Sequence, residues 1–186
     1  MTKKNLGAKP FLVPQPALVL GTYNEDGSPN AMVAAWGGLS EETEISICVD
    51  TRHKTTENLE RTGAFTVGIS DLKHMAEIDY LGTVSGKEAA GKIAKARFTA
   101  VKSDFVDAPV FEELPVTLEC KVKSYDRETC RLVGDILNVV ADEAVFTEGK
   151  VDLSKVQPLV YDPFNHGYYV VSERVGDAFK IGKSLK

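Results

Sequence analysis

The sequence has no uninterrupted apolar stretch of the length that a membrane-spanning helix needs, which is about 18 residues or more. Its N-terminal segment carries lysines, but Pro10, Pro14 and Pro16 interrupt it. It therefore lacks the continuous apolar region of a secretory signal peptide. These two absences predict a cytoplasmic protein that does not cross a membrane.

Cysteine and histidine are scarce, with three residues of each in 186. The cysteines form no C-x-x-C pair, and the histidines are scattered without the spacing of a metal site. Cys48 and Cys120 each lie within an apolar strand pattern, which predicts reduced thiols in the protein core. Neither a metal centre nor a catalytic thiol is expected.

Excess positive charge and glycine-rich nucleotide motifs are also absent. Lysine and arginine number 22 against 27 acidic residues, a net charge of −5, and no long basic patch occurs. Nucleic acid is therefore not an expected partner. No G-x-G-x-x-G follows a strand, and the Gly-Lys-Ser at 182–184 has Asp177 where a P-loop requires its first glycine.

Alternating hydrophobicity with tight turns dominates what is present. Strands are predicted at 18–23, 30–36, 45–49, 65–69, 117–125, 130–141, 159–161 and 168–171, and helices at 57–61, 71–80 and 87–97. Sequential strands with few helices are typical of a closed or split antiparallel barrel rather than a doubly wound parallel sheet. We expect a single domain over residues 1–186.

The run at 30–36 is apolar, rich in small residues, and ends at the single tryptophan and a glycine pair. Small side chains beside a Gly-Gly step let a flat, bulky group approach the backbone, because little side-chain volume stands in the way. Its alternative interpretation is an ordinary strand, with Trp36 as a core aromatic.

One strand later, the residues before a helix that ends at Gly63 are Arg52, His53, Lys54, Thr55 and Thr56. Cations and hydroxyls at a helix N-terminus form an anion site, because the first backbone N–H groups have no partner within the helix. Together with the small-residue run, this predicts a ligand with a flat ring at one end and a phosphate at the other. A capped helix with solvated charges is the alternative.

Short motifs in the same order resemble the flavin reductase-like family of FMN-binding split β-barrels, in particular its flavoredoxin-like branch. They lie at 16–22, 26–30, 34–38, 46–50, 53–59, 63–67, 79–86, 118–122 and 133–136. Two positions differ from the usual pattern. Gly68 stands where an asparagine is common, and Gly91-Lys92-Ile93 stands where Asp-Lys-Phe is common, which leaves the role of Lys92 open.

The resemblance implies a mainly β, FMN-binding split antiparallel barrel with short helical inserts, usually a homodimer with FMN near the subunit contact. It places the flavin ring against the 30–36 run and the phosphate near the helix N-terminus, where Arg52 is the strongest single candidate. Asp50 would orient Arg52 or cap the helix. The implied cofactor-binding residues are Asn30, Met32, Val33, Ala34, Ala35, Trp36, Asp50, Arg52, His53, Lys54, Thr55, Thr56 and His166.

Three functions are compatible with that resemblance. The first is a flavin reductase that passes a hydride from NADH or NADPH to FMN, with the aromatic loop at 161–169 receiving the second reactant. The second is a flavoredoxin-like electron carrier with tightly bound FMN and a protein redox partner. The third is a flavin-binding protein without redox turnover. No residue is assigned as a general acid or base.

Overall fold

The computed structural model describes residues 1–185 and consists mainly of antiparallel strands. The strands are β1 (Gln15–Pro16), β2 (Leu18–Tyr23), β3 (Pro29–Ala34), β4 (Gly37–Glu41), β5 (Glu44–Cys48), β6 (Ala64–Ile69), β7 (Ala100–Lys102), β8 (Pro109–Phe111), β9 (Val116–Asp126), β10 (Arg131–Ala141), β11 (Phe146–Thr147), β12 (Lys150–Val151), β13 (Leu159–Asp162) and β14 (Gly167–Val170). The α-helices are α1 (Lys54–Thr62), α2 (Met75–Thr83), α3 (Lys92–Lys95) and α4 (Leu153–Val156), and 3₁₀ turns occupy Glu143–Val145 and Ile181–Leu185.

Seven strands form one curled sheet in the order β3-β2-β6-β9-β10-β5-β4. Its concave face encloses the main core, in which Leu20, Ile47, Phe65, Val67 and Leu132 are fully buried. Burying each such side chain contributes about 1.5–3 kcal/mol. The predicted antiparallel barrel with short helical inserts is therefore confirmed.

Strand β2 is buried on both faces, which explains its continuous apolar sequence. Leu18 and Leu20 point into the barrel, whereas Val19 points outward into a second core with Ile78 and Leu81 of α2. Helices α2 and α3 both contact β3 from this outer side. The second core therefore fixes the helices that border the candidate site.

Helix α1 begins and ends close to the predicted positions. Gly63 adopts φ 64°, and its N–H donates to the Leu59 carbonyl oxygen at 2.9 Å. A glycine reaches this left-handed conformation without a side-chain clash, so it terminates the helix. The predicted glycine stop is confirmed.

The other two helix predictions missed the boundaries: α2 starts and ends later than the predicted 71–80, and only part of 87–97 is helical. Asp71 does not start α2 but accepts a hydrogen bond from His74 N, at 2.9 Å, and pairs with Pro158 in an isolated bridge. The segment 87–97 is helical only in α3, because turns occupy residues 86–88 and 90–91 and Gly91 takes φ 71°. Alanine and lysine content alone did not reveal these breaks.

The predicted strand at 30–36 ends at Ala34, and a new strand, β4, begins at Gly37. A side chain at Gly37 would lie 3.0 Å from both Ile47 Cγ1 and the Ser46 carbonyl oxygen, so β4 can pair with β5 there only if the residue is small. Ala35 and Trp36 thus form a corner between two strands.

The prediction for the cysteines was half wrong. Cys120 is fully buried, but Cys48 is exposed at the end of β5. Side chains alternate along a strand, so Ile45 and Ile47 enter the core while Ser46 and Cys48 face the other side.

Two searches of residues 1–185 gave negative results. No helix there combines the length and apolar character needed to cross a membrane. The same residues contain no group of three or more histidine, cysteine or acidic side chains arranged to hold a metal ion.

Candidate functional site

A cavity of about 650 Å³ lies where β3, the start of α1, the end of α2, α3 and the β13–β14 hairpin meet. Small-molecule sites typically have volumes of about 300–1,000 Å³. The lining residues are Ala17, 30–36, Cys48, 53–55, Asp79, 81–86, Lys92, Tyr161, His166 and Tyr168. The structure therefore brings ten of the thirteen predicted site residues to one pocket: Asn30, Met32, Val33, Ala34, Ala35, Trp36, His53, Lys54, Thr55 and His166.

One wall of the pocket is the predicted small-residue run. The run borders the pocket at Ala34, Ala35 and Trp36; Ala34 belongs to the main core, and Trp36 is 53% exposed at the corner. The Trp36 carbonyl accepts from Cys48 N at 2.7 Å, which ties the corner to β5. This wall has the low relief that a flat ring needs.

The end of the pocket beside α1 is polar and well ordered. Asn30 is buried, and its Nδ2 donates to Thr55 Oγ1 at 3.0 Å and to Thr22 Oγ1 at 3.3 Å. A Cβ on Gly86 would lie 2.2 Å from Asn30 Oδ1, so the 83–86 loop approaches this closely only because residue 86 is glycine. The start of α1 and the Gly86 loop form a cradle of backbone and hydroxyl groups.

Lys92 supplies a buried cation at this end. Only 5% of the residue is exposed, and its Nζ donates to the Ala31 carbonyl oxygen at 2.7 Å. Burial lowers the pKa of Lys92 from 10.5 to about 8, and no carboxylate among residues 1–185 opposes that shift. A buried ammonium without a counter-charge is costly, so an anionic ligand beside it would relieve the cost.

The neighbouring charges define the electrostatics of the same end. Lys54 pairs with Glu57 at 3.0 Å, and Lys87 reaches the same carboxylate at 2.6 Å. Burial lowers the pKa of His53, and the nearby cations Arg52, Lys92 and Lys87 lower it further, against Asp50. His53 is therefore neutral at pH 7 and adds no charge to this end.

Three predicted residues lie outside the lining. The Arg52 side chain is 88% exposed and donates two hydrogen bonds to the Asp50 carboxylate, from Nε at 2.9 Å and from Nη2 at 3.0 Å. This pair holds the pKa of Asp50 well below its usual range. Thr56 is buried and donates to the Asp50 carbonyl oxygen at 2.7 Å. Asp50 thus orients Arg52, as one of its two predicted roles required, and Arg52 would have to leave it to reach a ligand in the pocket.

Aromatic residues form the remaining side of the pocket. Tyr161 and Tyr168 face each other with ring centroids 5.9 Å apart, and the Tyr168 hydroxyl donates to Asp79 Oδ1 at 3.0 Å. Burial, with a smaller effect of Asp79, raises the pKa of Tyr168 to about 12. Tyr168 is therefore a neutral donor at any physiological pH.

Several lining residues were not among the predicted site residues: Cys48, Asp79, Ser85, Gly86, Lys92, Tyr161 and Tyr168. Tyr161 and Tyr168 lay within the aromatic loop that had been singled out, so density of aromatic residues was their signal. Lys92 had the Gly-Lys-Ile element as its signal. Asp79 and Cys48 lie within the motifs at 79–86 and 46–50, but neither residue had been singled out there.

The fold and the pocket are similar to those of known flavin-related proteins. Flavoredoxin of Desulfovibrio vulgaris (Miyazaki F) superposes with a TM-score of 0.93 at 34% identity, over 97% of this chain and 100% of that one. The FMN-binding domain of a flavin reductases-like enzyme from Shewanella baltica gives a TM-score of 0.76 at 19% identity, over 87% and 89% of the two chains. The seven-stranded sheet is that of the FMN-binding split barrels.

A protein of Aeropyrum pernix without a described function is 24% identical over 149 residues, which are 77% of this chain and 56% of the relative. The chain thus spans little more than half the length of that relative. The description of the flavin reductase like domain matches residues 11–171, which is most of the sequence and includes every residue that lines the pocket. The chain belongs to the flavin reductase-like domain family.

Proposed function

We propose that the pocket binds FMN and that the protein is an oxidoreductase that reduces this flavin with NADH or NADPH. The observation that carries the proposal is Lys92, a buried cation that has no counter-charge within residues 1–185, at the polar end of a pocket with a flat opposite wall. A phosphate ester on a flat ring system satisfies both ends at once.

The lining residues fit FMN in the following way. Lys54, Thr55 and Lys92 hold the phosphate together with the free N–H groups at the start of α1, where the helix dipole favours an anion. Ala34, Ala35 and Trp36 support the ring through backbone groups. When bound, FMN supplies the redox chemistry, and the chain supplies placement, charge and exclusion of water.

The remaining predicted contacts stay predictions. Met32 and Val33 extend the ring-side wall, and His166 borders it from the hairpin. Arg52, with Asp50 and Thr56 behind it, would add a guanidinium contact only after its ion pair with Asp50 opens. These residues are therefore secondary to Lys92 in the proposal.

A flavoredoxin-like electron carrier is the second candidate. Its support is the 34% identity with Desulfovibrio flavoredoxin over 97% of this chain. In this function FMN stays bound and exchanges electrons with a protein partner, without a nicotinamide site. A flavin-binding protein without turnover would share the same pocket.

We expect the purified protein to bind FMN at least about tenfold more tightly than riboflavin, because one charge-assisted hydrogen bond contributes about 1.5–3 kcal/mol. Fluorescence titration of both flavins measures this difference. Equal affinities would contradict the phosphate assignment.

Anaerobic addition of NADH then separates the candidates: bleaching of bound FMN supports the reductase, and bleaching by dithionite alone supports the carrier.

A second expectation concerns assembly. Trp36, which is 53% exposed, and Leu39, Phe11 and Leu12 form an apolar surface at the edge of the pocket. We propose that a second copy covers this surface and completes the flavin site in a two-fold homodimer. Light scattering of the flavin-loaded protein at micromolar concentration should give twice the chain mass. A loaded monomer would contradict this proposal.

A further inference from the structure

The chain continues beyond β14 as a short arm. Its last hydrogen bond to the barrel before the arm begins is that of Val171, whose N–H donates to the Pro158 carbonyl oxygen at 2.9 Å. Residues 172–185, which we call the C-terminal arm, start with six residues that form neither helix nor strand and end in the 3₁₀ turn. Six extended residues span up to about 20 Å, so the arm has the reach to contact a neighbouring molecule.

The apolar side chains of the arm are open to solvent in the single chain. Phe179 is 98% exposed and Val175 is 89% exposed. Phe179 also adopts φ 63°, a left-handed backbone that is uncommon for a bulky residue. Lys180 N donates to the Asp177 carbonyl oxygen at 3.3 Å, and Arg174 forms an ion pair with the Asp177 side chain. The arm therefore presents an aromatic side chain on a bend that its own residues hold.

An apolar groove of about 550 Å³ lies beside β4, the outer strand of the seven-stranded sheet. We call it the β4 groove. Four of its lining residues are exposed and apolar: Phe11, Leu12, Trp36 and Leu39. Covering such a surface removes apolar area from water, which favours association with another apolar surface.

The charges beside the groove and along the arm are complementary. Residues 172–186 contain four lysine or arginine residues and two acidic residues, although the whole chain has a net charge of −5. The arm places Lys180 and Lys183 on either side of its 3₁₀ start. The turn that follows Leu39 instead carries Glu41 and Glu42, which are both exposed. A basic, apolar arm thus matches an acidic, apolar edge.

We propose that the C-terminal arm of each copy lies in the β4 groove of a second copy, so that the two chains exchange arms. Phe179 enters the groove, and Lys180 and Lys183 lie against the acidic turn at 41–42. Exchange of a terminal segment between identical chains is a low-cost route to a dimer. The inference rests on the proposed homodimer and names the segment that joins its halves. Because Trp36 lines both cavities, the arm also borders the flavin pocket of the other copy.

Disulfide cross-linking between two differently marked copies tests the exchange. One copy carries Ala178→Cys and the other Ser40→Cys, positions next to Phe179 and Leu39 that are both exposed. Each also carries Cys48→Ser and Cys130→Ser, so that the one remaining native thiol is buried. Oxidation of the mixture should give a product of twice the chain mass, in at least about tenfold excess over either variant alone.

A single chain that carries both Ala178→Cys and Ser40→Cys distinguishes the other possible positions of the arm. A link within one chain, without a change in mass, would show that the arm covers its own groove and would overturn the exchange. No link in the mixture or in this double variant would overturn docking of the arm in the groove. A linked dimer that binds no FMN would overturn the proposed function alone.

Phe179→Ser should raise the dissociation constant of the dimer at least about tenfold, as expected for the loss of one buried aromatic side chain. Phe105→Ser, which changes an exposed phenylalanine between β7 and β8, is the matched control and should leave the constant unchanged. Analytical ultracentrifugation measures both. An equal effect of the two variants, or no effect of Phe179→Ser, would overturn the role of Phe179.

Charge reversal tests where the arm lies. Lys180→Glu/Lys183→Glu should weaken the dimer at least about fivefold at low salt, because exposed ion pairs each contribute a few tenths to about 1 kcal/mol and are screened by salt. Adding Glu41→Lys/Glu42→Lys should restore the affinity. A dimer that stays weak in the combined variant would overturn the placement of the arm against this turn.

Discussion

A Lys92→Met variant is expected to bind FMN about ten- to 150-fold more weakly than the unchanged chain, with little change for riboflavin. Methionine fills nearly the same volume but cannot hydrogen-bond a phosphate, and riboflavin has no phosphate to lose. The variant should fold well, because it removes an ammonium that is buried without a counter-charge. Fluorescence titration with both flavins measures the effect.

The matched control is Lys95→Met, which changes an exposed lysine of the same short helix. It should leave both affinities almost unchanged, since it alters the net charge equally but not the pocket. An equal loss of FMN affinity in both variants would contradict a specific contact by Lys92. Arg52→Met, measured in parallel, shows whether the guanidinium leaves Asp50 to join the phosphate.

The same lysine gives FMN binding a pH dependence. The pKa of Lys92 in the free protein is about 8, and a bound phosphate favours the charged ammonium. FMN affinity should therefore fall as pH rises above about 8, at a limiting slope of about tenfold per unit. Because the second phosphate pKa is about 6, the ligand keeps its charge over this range. Lys92→Met should abolish the slope.

The contribution of Lys92 to the folding stability of the ligand-free chain has the opposite pH dependence to that of FMN affinity. Below pH 8 both the folded and the unfolded states carry the proton, whereas between about 8 and 10.5 only the unfolded state does. The unfolded state thus binds more protons in this interval, so the contribution of Lys92 to stability increases with pH there. If FMN affinity keeps its pH dependence in Lys92→Met, the Lys92 ammonium is not the source of that dependence.

An Asn30→Ala variant is expected to lose about 1–3 kcal/mol of unfolding free energy, together with FMN affinity. The Asn30 amide donates to Thr22 and Thr55, and all three side chains are buried. Alanine leaves both hydroxyl oxygens without that donor. Thr55 then loses its orientation at the start of α1. Urea unfolding and FMN titration measure the two effects.

Asn24→Ala provides the control at the outer end of the same hydrogen-bond network. Asn24 Oδ1 accepts from Asn58 Nδ2 at 2.9 Å, and Asn58 Nδ2 also donates to Thr22 at 3.0 Å. Water reaches Asn24, so its loss should cost less than that of Asn30 and should not change FMN affinity. Equal losses for the two variants would show that the network acts on stability without a special role for Asn30.

The features that the sequence predicted correctly depend on neighbouring residues. Helix α1 follows from the polar residues at its start and from Gly63 at its end, and the β2–β3 hairpin follows from the turn after Tyr23. The run at 30–36 was singled out because small residues and Trp36 are adjacent in the chain, and it does line the pocket. Each of these features depends on residues that are adjacent in the chain, so a single sequence was enough to predict it.

The polar end of the pocket depends on contacts between distant residues. Lys92 donates to a carbonyl 61 positions earlier in the chain, which no periodicity indicates. Arg52 looked like the better phosphate ligand because it directly precedes the helix, yet Asp50 two residues away binds it first. Proximity in sequence identified a helix terminus that borders the pocket but did not indicate Lys92 beside it.

The pocket walls come from segments as far apart as Ala17 and Tyr168, so the cavity exists only when almost the whole barrel is assembled. A ligand in it therefore has no binding site on the unfolded chain. By linkage, a ligand at 100 times its Kd stabilises the native state by about 2.7 kcal/mol. If that ligand is FMN, the supply of flavin sets the resistance of this protein to heat and to proteolysis, so riboflavin starvation would shorten its lifetime before it limited its turnover.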